Sequence, residues 1–463
     1  MRAAIALAAC GMLAAQSIDR TKPPETGPLR DFKLPATTDG TLPNGFKVVL
    51  VEDGRYPMVE LRLGFFAGSR YDPADLPGLS ETVASLVVEG TASRTARQFA
   101  EESAAIGAGI SASSSSDSLI VTANSPSAQF GALLELIADM AVNASFPESE
   151  VRLRKQNRLE ELKDQRSQPD VLANEKLHHV VFGRHPYSKT LPTEASIGKL
   201  DRAAILKFRD AYLRPNNAAM VLVGRFENTK TVWRMLEQKF GKWERKDPPT
   251  ESKAEIPEPA RSISLVDRPG SVQADIQMAR VAIPRTHADW FPLVVANSIL
   301  GGGTSSRLFN DVREKRGFAY NVHSEAEALR DSGIAGALMQ VRNEVAEPAI
   351  RAMLEHFEKM GSERVTAQEL SDVKNYLSGT FVLGLAKPSG VADQLLKTRL
   401  NGLTNAYLET YVDKIRRVEP DRIQAVSKKY FDPSRASIVV VGDAKAIKAA
   451  VEKVGPVTMD EAR

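Results

Sequence analysis

Histidine, serine and cysteine side chains carry much of hydrolytic chemistry, and this chain places none of them in a familiar catalytic pattern. Its six histidines include no pair at i, i+4 with an acid between them, the helical arrangement that binds zinc and supplies a general base. His178 and His179 are adjacent and would point to different faces of a helix. The sequence has no Gly-x-Ser-x-Gly turn, and its glycine triplet at 301–303 lacks the lysine of a phosphate-binding loop. The sequence therefore indicates neither a helical zinc-binding motif, nor a serine hydrolase turn, nor a phosphate-binding loop.

The elements that would position a site come from one sequence unit used twice. Residues 212–224 and 430–442 share a helix end, a Pro turn and an apolar strand closed by Gly, at an offset of 218 residues. Residues 90–94 (GTASR) recur as residues 303–307 (GTSSR), at an offset of 213 residues. Because both echoes have nearly the same offset, they predict the duplication of a domain of about 200 residues.

Composition divides the chain around this repeat. Between the two copies, four prolines stand among charged residues, which is typical of a semi-rigid linker. The predicted segments are an export signal at 1–15, a tether at 16–41, a first domain at 42–243, a linker at 244–261 and a second domain at 262–454.

Within the first domain, strand and helix patterns alternate. Strands are predicted at 46–51 and 59–65, and a hairpin within 110–124. Thr95 and Gln98 match a capping box that would open a helix. Further helices are predicted at 78–89, 128–141, 148–165 and 203–211. Adjacent hairpin strands with clustered helices indicate an α+β fold.

Overall charge and the N-terminus limit the range of partners and compartments. Lys and Arg number 61 against 58 Asp and Glu, and so small an excess does not indicate a nucleic-acid partner.

Arg2 and the short apolar run after it indicate an export signal, too short to span a bilayer as a helix. Cys10 is the only cysteine, so no intrachain disulfide can form. It also ends the sequence Leu-Ala-Ala-Cys, which resembles a bacterial lipoprotein box. Two interpretations stay open, a lipid anchor at Cys10 and a plain cleaved signal.

Short motifs along the rest of the chain resemble those of the pitrilysin/insulinase family of zinc metallopeptidases. The resemblance rests on their order and spacing, and it covers essentially the whole chain after the tether. It implies two tandem homologous domains, each a mostly antiparallel β-sheet packed by helices, as half of a metallopeptidase clamshell. The motifs are LPNG at 42–45, GSR at 68–70, GL at 78–79 with GT at 90–91, HPY at 185–187, YLRPN at 212–216, GGGTSSRL at 301–308 and REKRGFAY at 313–320.

The resemblance also locates the positions of a zinc motif. Active family members carry His-x-x-Glu-His on the helix between Gly-Leu and Gly-Thr, and without a gap these positions fall on Glu81, Ala84 and Ser85. Ala84 has no group that could accept a proton from a metal-bound water, and the Ser85 hydroxyl is a poor substitute for imidazole. The third ligand of the family corresponds to Glu160 or Glu161. We expect no metal to be bound by this chain.

The second domain retains a different pair. In family members an Arg and a Tyr seven residues apart face the zinc across the cleft, and Arg313 and Tyr320 have that spacing. A guanidinium can donate to a substrate carbonyl, and a phenol can stabilise an oxyanion. The alternative is structural, with Arg313 paired to Glu314 or Asp311 and Tyr320 packed at the start of a strand.

These features lead to three functional hypotheses. The first is the non-catalytic, substrate-binding subunit of a two-component zinc endopeptidase, exported to the bacterial periplasm and paired with a homologue that has the intact motif and holds the zinc. The second is a peptide-binding or scaffold protein of the same fold without a proteolytic role. The third is a self-sufficient enzyme that uses Glu81 with Glu160 or Glu161, and Ala84 argues against it.

Overall fold

Two six-stranded mixed sheets, each flanked by helices, form the core of the protein. The computed structural model describes residues 33–226, 228–250, 254–258 and 260–461. The predicted signal and Cys10 lie outside these residues. Across the described residues, every helix is too short or too polar to cross a membrane.

The first sheet has the strand order β1-β2-β6-β3-β5-β4. Only β2 and β6 run parallel, and the other neighbours are antiparallel. The central strand β6 is buried along its whole length, as its run of apolar residues requires. The strands are β1 (Thr37–Thr41), β2 (Lys47–Glu52), β3 (Met58–Phe65), β4 (Gly109–Ser114), β5 (Leu119–Pro126) and β6 (Ala218–Gly224).

The second sheet repeats this arrangement in the order β12-β7-β11-β8-β10-β9. Strands β7 and β11 are parallel, and β11 is again fully buried at the centre. β8 is antiparallel to β11 and β10, and β9 is antiparallel to β10. The strands are β7 (Ser262–Asp267), β8 (Gln273–Ala282), β9 (Ala319–Ala328), β10 (Gly333–Arg342), β11 (Ser437–Gly442) and β12 (Thr458–Glu461).

Helices surround both sheets. In the first half they are α1 (Leu79–Leu86), α2 (Ala96–Ala105), α3 (Phe130–Asn143), α4 (Glu148–Ser167), α5 (Pro169–Phe182), α6 (Glu194–Lys199), α7 (Arg202–Tyr212) and α8 (Thr229–Phe240). In the second half they are α9 (Trp290–Gly301), α10 (Ala346–Ser362), α11 (Ala367–Gly384), α12 (Pro388–Leu400), α13 (Asn405–Glu409), α14 (Tyr411–Arg416), α15 (Pro420–Tyr430) and α16 (Ala444–Val451).

The shared strand order confirms the predicted α+β class with two homologous, mostly antiparallel sheets. The two copies differ at one edge, where β1 is antiparallel to β2 but β12 is parallel to β7. Neither edge strand belongs to the repeat. β1 lies in the segment predicted as tether, and β12 follows residue 454, the last residue of the predicted second domain. The predicted capping box of Thr95 and Gln98 is present at the start of α2.

Each half lends one helix to the sheet of the other half. α5 packs on β8 and β11, and α12 packs on β3 and β6. Leu172 and Leu177 of α5 share a buried cluster with Val439 and Val441 of β11. This exchange places part of each apolar core across the boundary between the two halves.

Polar contacts fix the exchanged helices near their first turns. The buried Arg62 on β3 pairs with Asp393 of α12, with Nε 2.5 Å from Oδ1. At the equivalent place on β8, Gln277 donates to the Asp170 carbonyl of α5 at 3.0 Å. Both helices begin with Pro at the first position, where its missing N–H has no partner to lose.

Truncation of a buried leucine on α12 should destabilise the whole described core. Leu396 is 1% exposed and lies against Gly64 of β3. We expect Leu396→Ala to lower the free energy of unfolding by about 2–5 kcal/mol, through lost transfer energy and the cavity left behind. Urea unfolding measures this change.

The matched control is Leu383→Ala on α11, a leucine that is 72% exposed. It should change the free energy of unfolding by less than about 0.5 kcal/mol. Equal effects of the two substitutions would contradict the assigned packing of α12.

Candidate functional site

Helix α1 carries the three zinc-motif positions, and it begins at a turn that Gly78 and Asp72 hold in place. Gly78 precedes it with φ 94°, a left-handed conformation that favours glycine. The Asp72 carboxylate accepts hydrogen bonds from the backbone N–H groups of Gly78 and Ser80, both at 2.8 Å. Burial raises the pKa of Asp72 to about 7, although these hydrogen bonds act in the opposite direction. α1 ends at Leu86, earlier than the predicted residue 89.

The three motif positions on α1 have different surroundings. Ala84 is buried, at 2% exposure, and offers only a methyl group. Ser85 donates its hydroxyl to the Glu81 carbonyl at 2.9 Å, back along the same helix. Of the three, only Glu81 presents a charged side chain.

Two arginines of α4 hold the Glu81 carboxylate. Arg154 lies with Nη2 3.4 Å from Oε1 of Glu81, and Arg158 lies with Nη2 3.1 Å from Oε2. The Arg158 side chain is 4% exposed, whereas that of Glu81 is 43% exposed. The guanidinium groups therefore lie beneath the carboxylate.

Glu161 completes this cluster, and Glu160 does not. Glu161 accepts from Arg154 Nη1 at 2.7 Å and lies 3.6 Å from Arg158 Nη1. Glu160 points to solvent and pairs with Lys163. Of the two acids that the sequence could not distinguish, Glu161 is the one that shares partners with Glu81. We call Glu81, Arg154, Arg158 and Glu161 the arginine cluster.

These residues do not fit a zinc ion. A zinc site needs three protein ligands and an open position for water. Here both carboxylates are bound by guanidinium groups, the hydroxyl of Ser85 is engaged by a backbone carbonyl, and Ala84 has no donor atom. Across the described part of the chain, no three His, Cys, Asp or Glu side chains are grouped so that they could hold a metal ion.

The residue pattern of α4 indicates the arginine cluster, although it was not among the predicted site residues. Val151, Arg158 and Leu162 are the buried residues of α4. Their spacing of i, i+7 and i+11 places Arg158 on the apolar stripe of the helix. A charge on such a stripe indicates a buried ion pair, because an unpaired buried charge is costly.

Arg313 and Tyr320 lie together, as their signature spacing suggested. Arg313 belongs to the π-helix Phe309–Lys315, and Tyr320 is the second residue of β9. The Arg313 guanidinium lies 4.8 Å from the centre of the Tyr320 ring and 4.6 Å from that of Phe309. Such distances allow a cation–π interaction.

The surroundings of this pair are open. Tyr320 is 84% exposed, so it is not packed at the start of its strand. Arg313 contacts Glu314, with Nε 3.4 Å from Oε1, and both side chains are partly exposed. Asp311 pairs instead with His356 and Arg316. Burial alone would raise the pKa of Asp311, but its hydrogen bonds to those two groups lower it.

A second group of motif residues joins the two halves of the chain. Arg70 donates to Asp117 at 3.4 Å and to Asp331 at 2.9 Å. The two aspartates occupy equivalent turns, between β4 and β5 and between β9 and β10. Burial raises the pKa of Tyr187, whose hydroxyl donates to Asp117 at 2.6 Å. Gly68 is required next to Arg70 because a Cβ there would lie 2.4 Å from the Ser115 carbonyl oxygen.

The glycine segment at 301–303 places α9 close to β9. A Cβ on Gly301 would lie 2.3 Å from the backbone nitrogen of Ser324, so glycine is required for this close approach. Arg307, just after this segment, donates to Glu369 at the start of α11 at 2.7 Å. The Arg307 guanidinium holds the pKa of Glu369 at about 2.

Family models match both halves of the chain. A model described as "Insulinase (Peptidase family M16)" matches residues 47–194, and a model described as "Peptidase M16 inactive domain" matches residues 199–377. The chain belongs to the insulinase family of peptidases. The resemblance identified from short motifs is therefore confirmed.

Individual relatives and solved structures extend the match to most of the chain. An uncharacterised zinc protease of Bacillus subtilis is 24% identical over 401 residues, covering 86% of this chain and 97% of the relative. One from Streptomyces coelicolor is 24% identical and covers 88% and 89%. A peptidase M16 inactive domain from Pseudomonas fluorescens has a TM-score of 0.82 at 25% identity, covering 88% of this chain and 98% of that structure. A Helicobacter pylori protease with a TM-score of 0.83 at 21% identity shares the fold.

Helix α1 of this family member carries no histidine at the motif positions. The curated relatives are named zinc proteases, whereas α1 here carries Glu81, Ala84 and Ser85 at the motif positions. The second half matches a domain described as inactive. Together these findings support a non-catalytic member of the peptidase family.

The Arg307–Glu369 pair should make the free energy of unfolding depend on pH. The pKa of Glu369 is lowered to about 2, so the folded state favours its charged form. This contribution to stability is complete above about pH 4.5 and is lost as the pH falls towards 2. We expect Glu369→Gln to lose less stability than the native chain over this interval, as measured by urea unfolding at a series of pH values. Glutamine preserves the capping box at Thr366, so the comparison isolates the charge. Parallel pH profiles would contradict the assignment.

Proposed function

We propose that this chain is the substrate-binding subunit of a two-component zinc endopeptidase and supplies Arg313 and Tyr320 to the active site of its partner. The partner is a catalytic homologue with an intact His-x-x-Glu-His motif, which holds the zinc. The observation that carries the proposal is a contrast between the two halves. α1 has no histidine at the motif positions and its Glu81 carboxylate is held by two arginines, while the Arg313/Tyr320 pair lies at the surface, with Tyr320 84% exposed.

The exposure of the pair suits a role between subunits. A tyrosine that served only to stabilise this chain would gain most by burying its ring. Tyr320 leaves its ring in solvent except for the Arg313 guanidinium beside it. The two side chains orient each other and leave the phenol hydroxyl available to a group outside the chain.

The chemistry of the pair fits the hydrolysis of a peptide bond on a metal held by the partner. The Arg313 guanidinium can donate to a substrate carbonyl and thereby orient the peptide. The Tyr320 hydroxyl can donate to the oxyanion that develops at the attacked carbonyl carbon. Zinc in the partner would supply the activated water, and this chain would supply hydrogen-bond donors.

The strand that carries Tyr320 also supports peptide binding. β9 lies at the edge of the second sheet, with β10 as its single neighbour in the sheet. A strand edge offers main-chain N–H and C=O groups to an extended peptide and demands little of its sequence. A peptide added along this edge would pass close to Tyr320.

We also propose that the chain is exported to the bacterial periplasm. It would either lose a cleaved signal or keep a lipid anchor at Cys10. Both rest on the sequence of the first fifteen residues. An anchored chain would hold the peptidase at the membrane surface, and a cleaved one would release it.

Reconstitution with a zinc-motif homologue from the same organism tests the proposed function. Neither chain alone should cleave a peptide library, whereas their mixture should. In the mixture, Arg313→Ala and Tyr320→Phe should each lower kcat by about 10²–10³, because an oxyanion or carbonyl donor is lost. Size-exclusion chromatography should show unchanged assembly.

Matched controls are Arg364→Ala and Tyr376→Phe, since these side chains are also exposed but lie elsewhere on the second half. Both controls should retain full turnover. Unchanged turnover in Arg313→Ala and Tyr320→Phe would remove the proposed role of the pair. Peptide binding by this chain without any cleavage in the mixture would instead favour the scaffold function.

A further inference from the structure

We propose that Arg154 and Arg158 have taken over the place of the zinc ion, so that a fixed pair of guanidinium groups supplies the positive charge at this point of the fold. The inference concerns this chain alone and does not depend on a partner subunit. It starts from the mismatch between the arginine cluster and a metal site.

The geometry places the guanidinium groups between the two helices that would share a metal. Glu81 lies on α1 at a position that the family resemblance gives to a zinc ligand, and Glu161 on α4 is one of the two acids that it gives for the third ligand. Each of the two carboxylates contacts both arginines, at distances from 2.7 to 3.6 Å. The contact that a metal would make between α1 and α4 is thus made by Arg154 and Arg158.

Charge balance keeps the arginines and the carboxylates of the cluster together. The cluster contains two carboxylates and two guanidinium groups, so it is neutral as a unit. The Arg158 side chain is 4% exposed and also donates to Gln165 at 2.8 Å. Removal of its acidic partners would leave a buried charge without compensation, which is strongly unfavourable.

The same balance opposes the return of a metal. A divalent cation at this point would face two guanidinium groups within about 4 Å of the carboxylates it needs, and like charges at that range repel strongly. Restoring the motif residues on α1 therefore supplies ligands but does not vacate the site. The loss of zinc binding has been fixed by α4 as well as by α1.

Zinc analysis of reverted variants tests this inference. The first variant restores the motif through Glu81→His, Ala84→Glu and Ser85→His. The second adds Arg154→Gln and Arg158→Gln. After incubation with zinc and dialysis, the second should retain about one zinc ion per chain, using Glu161 as third ligand. The first should retain at least about tenfold less.

Two controls separate charge in general from these two positions. Adding Arg152→Gln to the first variant removes an exposed arginine of α4 and should leave zinc retention as low as before. Arg154→Gln with Arg158→Gln in the native chain should also retain no zinc, because the imidazole ligands are missing. Equal zinc retention in the first and second variants would overturn the proposal, and so would a folded second variant that holds no zinc.

A stability cycle provides a test that needs no metal and no reverted motif. Glu81→Gln and Arg158→Gln each remove the ion pair between these two side chains, so the double variant should lose clearly less stability than the sum of the two single losses. Urea unfolding of the four chains measures this coupling. Strictly additive losses would show that the two side chains do not hold each other and would overturn the proposal.

Discussion

The exchange of helices between the two halves is the constraint on which the rest of the structure depends. α5 covers β8 and β11, and α12 covers β3 and β6, so each sheet needs a helix from the other half to bury its apolar face. Burial of apolar surface is the main favourable term in folding. The exchange therefore fixes the relation of the two halves, and with it the place of every site residue. The turn that carries Asp331 meets Arg70 because both sheets are held in this way.

The same frame carries two groups of motif residues with opposite surroundings. In the first half, α1 and α4 face each other through Glu81, Glu161 and two arginines, an arrangement that satisfies its own charges and leaves nothing for a metal. In the second half, Arg313 and Tyr320 face solvent and satisfy each other only in part. A site closed on itself contributes to stability, whereas an open one is suited to binding.

Half of the strands could be predicted from the sequence, because β2, β3, β6 and β11 are short β-branched or aliphatic runs bounded by turns, and β4 and β5 form the predicted hairpin. The edge strands β1 and β12 could not, since their sequences are polar and owe their structure to pairing. α5 was missed for another reason. Its buried residues are spread around the helix and form no single stripe; they are Leu172, Ala173, Leu177, Val181 and Phe182. The motif positions on α1 were readable by counting from flanking glycines, as were Arg313 and Tyr320. The contacts of Glu81 with α4 cross more than seventy residues of chain, so the position of Arg158 on the apolar stripe indicates an ion pair but not its partner.

The exchange of helices also has a consequence for how the molecule is made. The first sheet is covered by α12, whose last residue is Leu400, so its apolar face stays open until more than four-fifths of the chain has been synthesised. An N-terminal half that cannot close early exposes apolar surface during synthesis, and such exposed surface favours aggregation. The exchange of helices that stabilises the folded chain thus also sets the order in which its two halves can fold during synthesis.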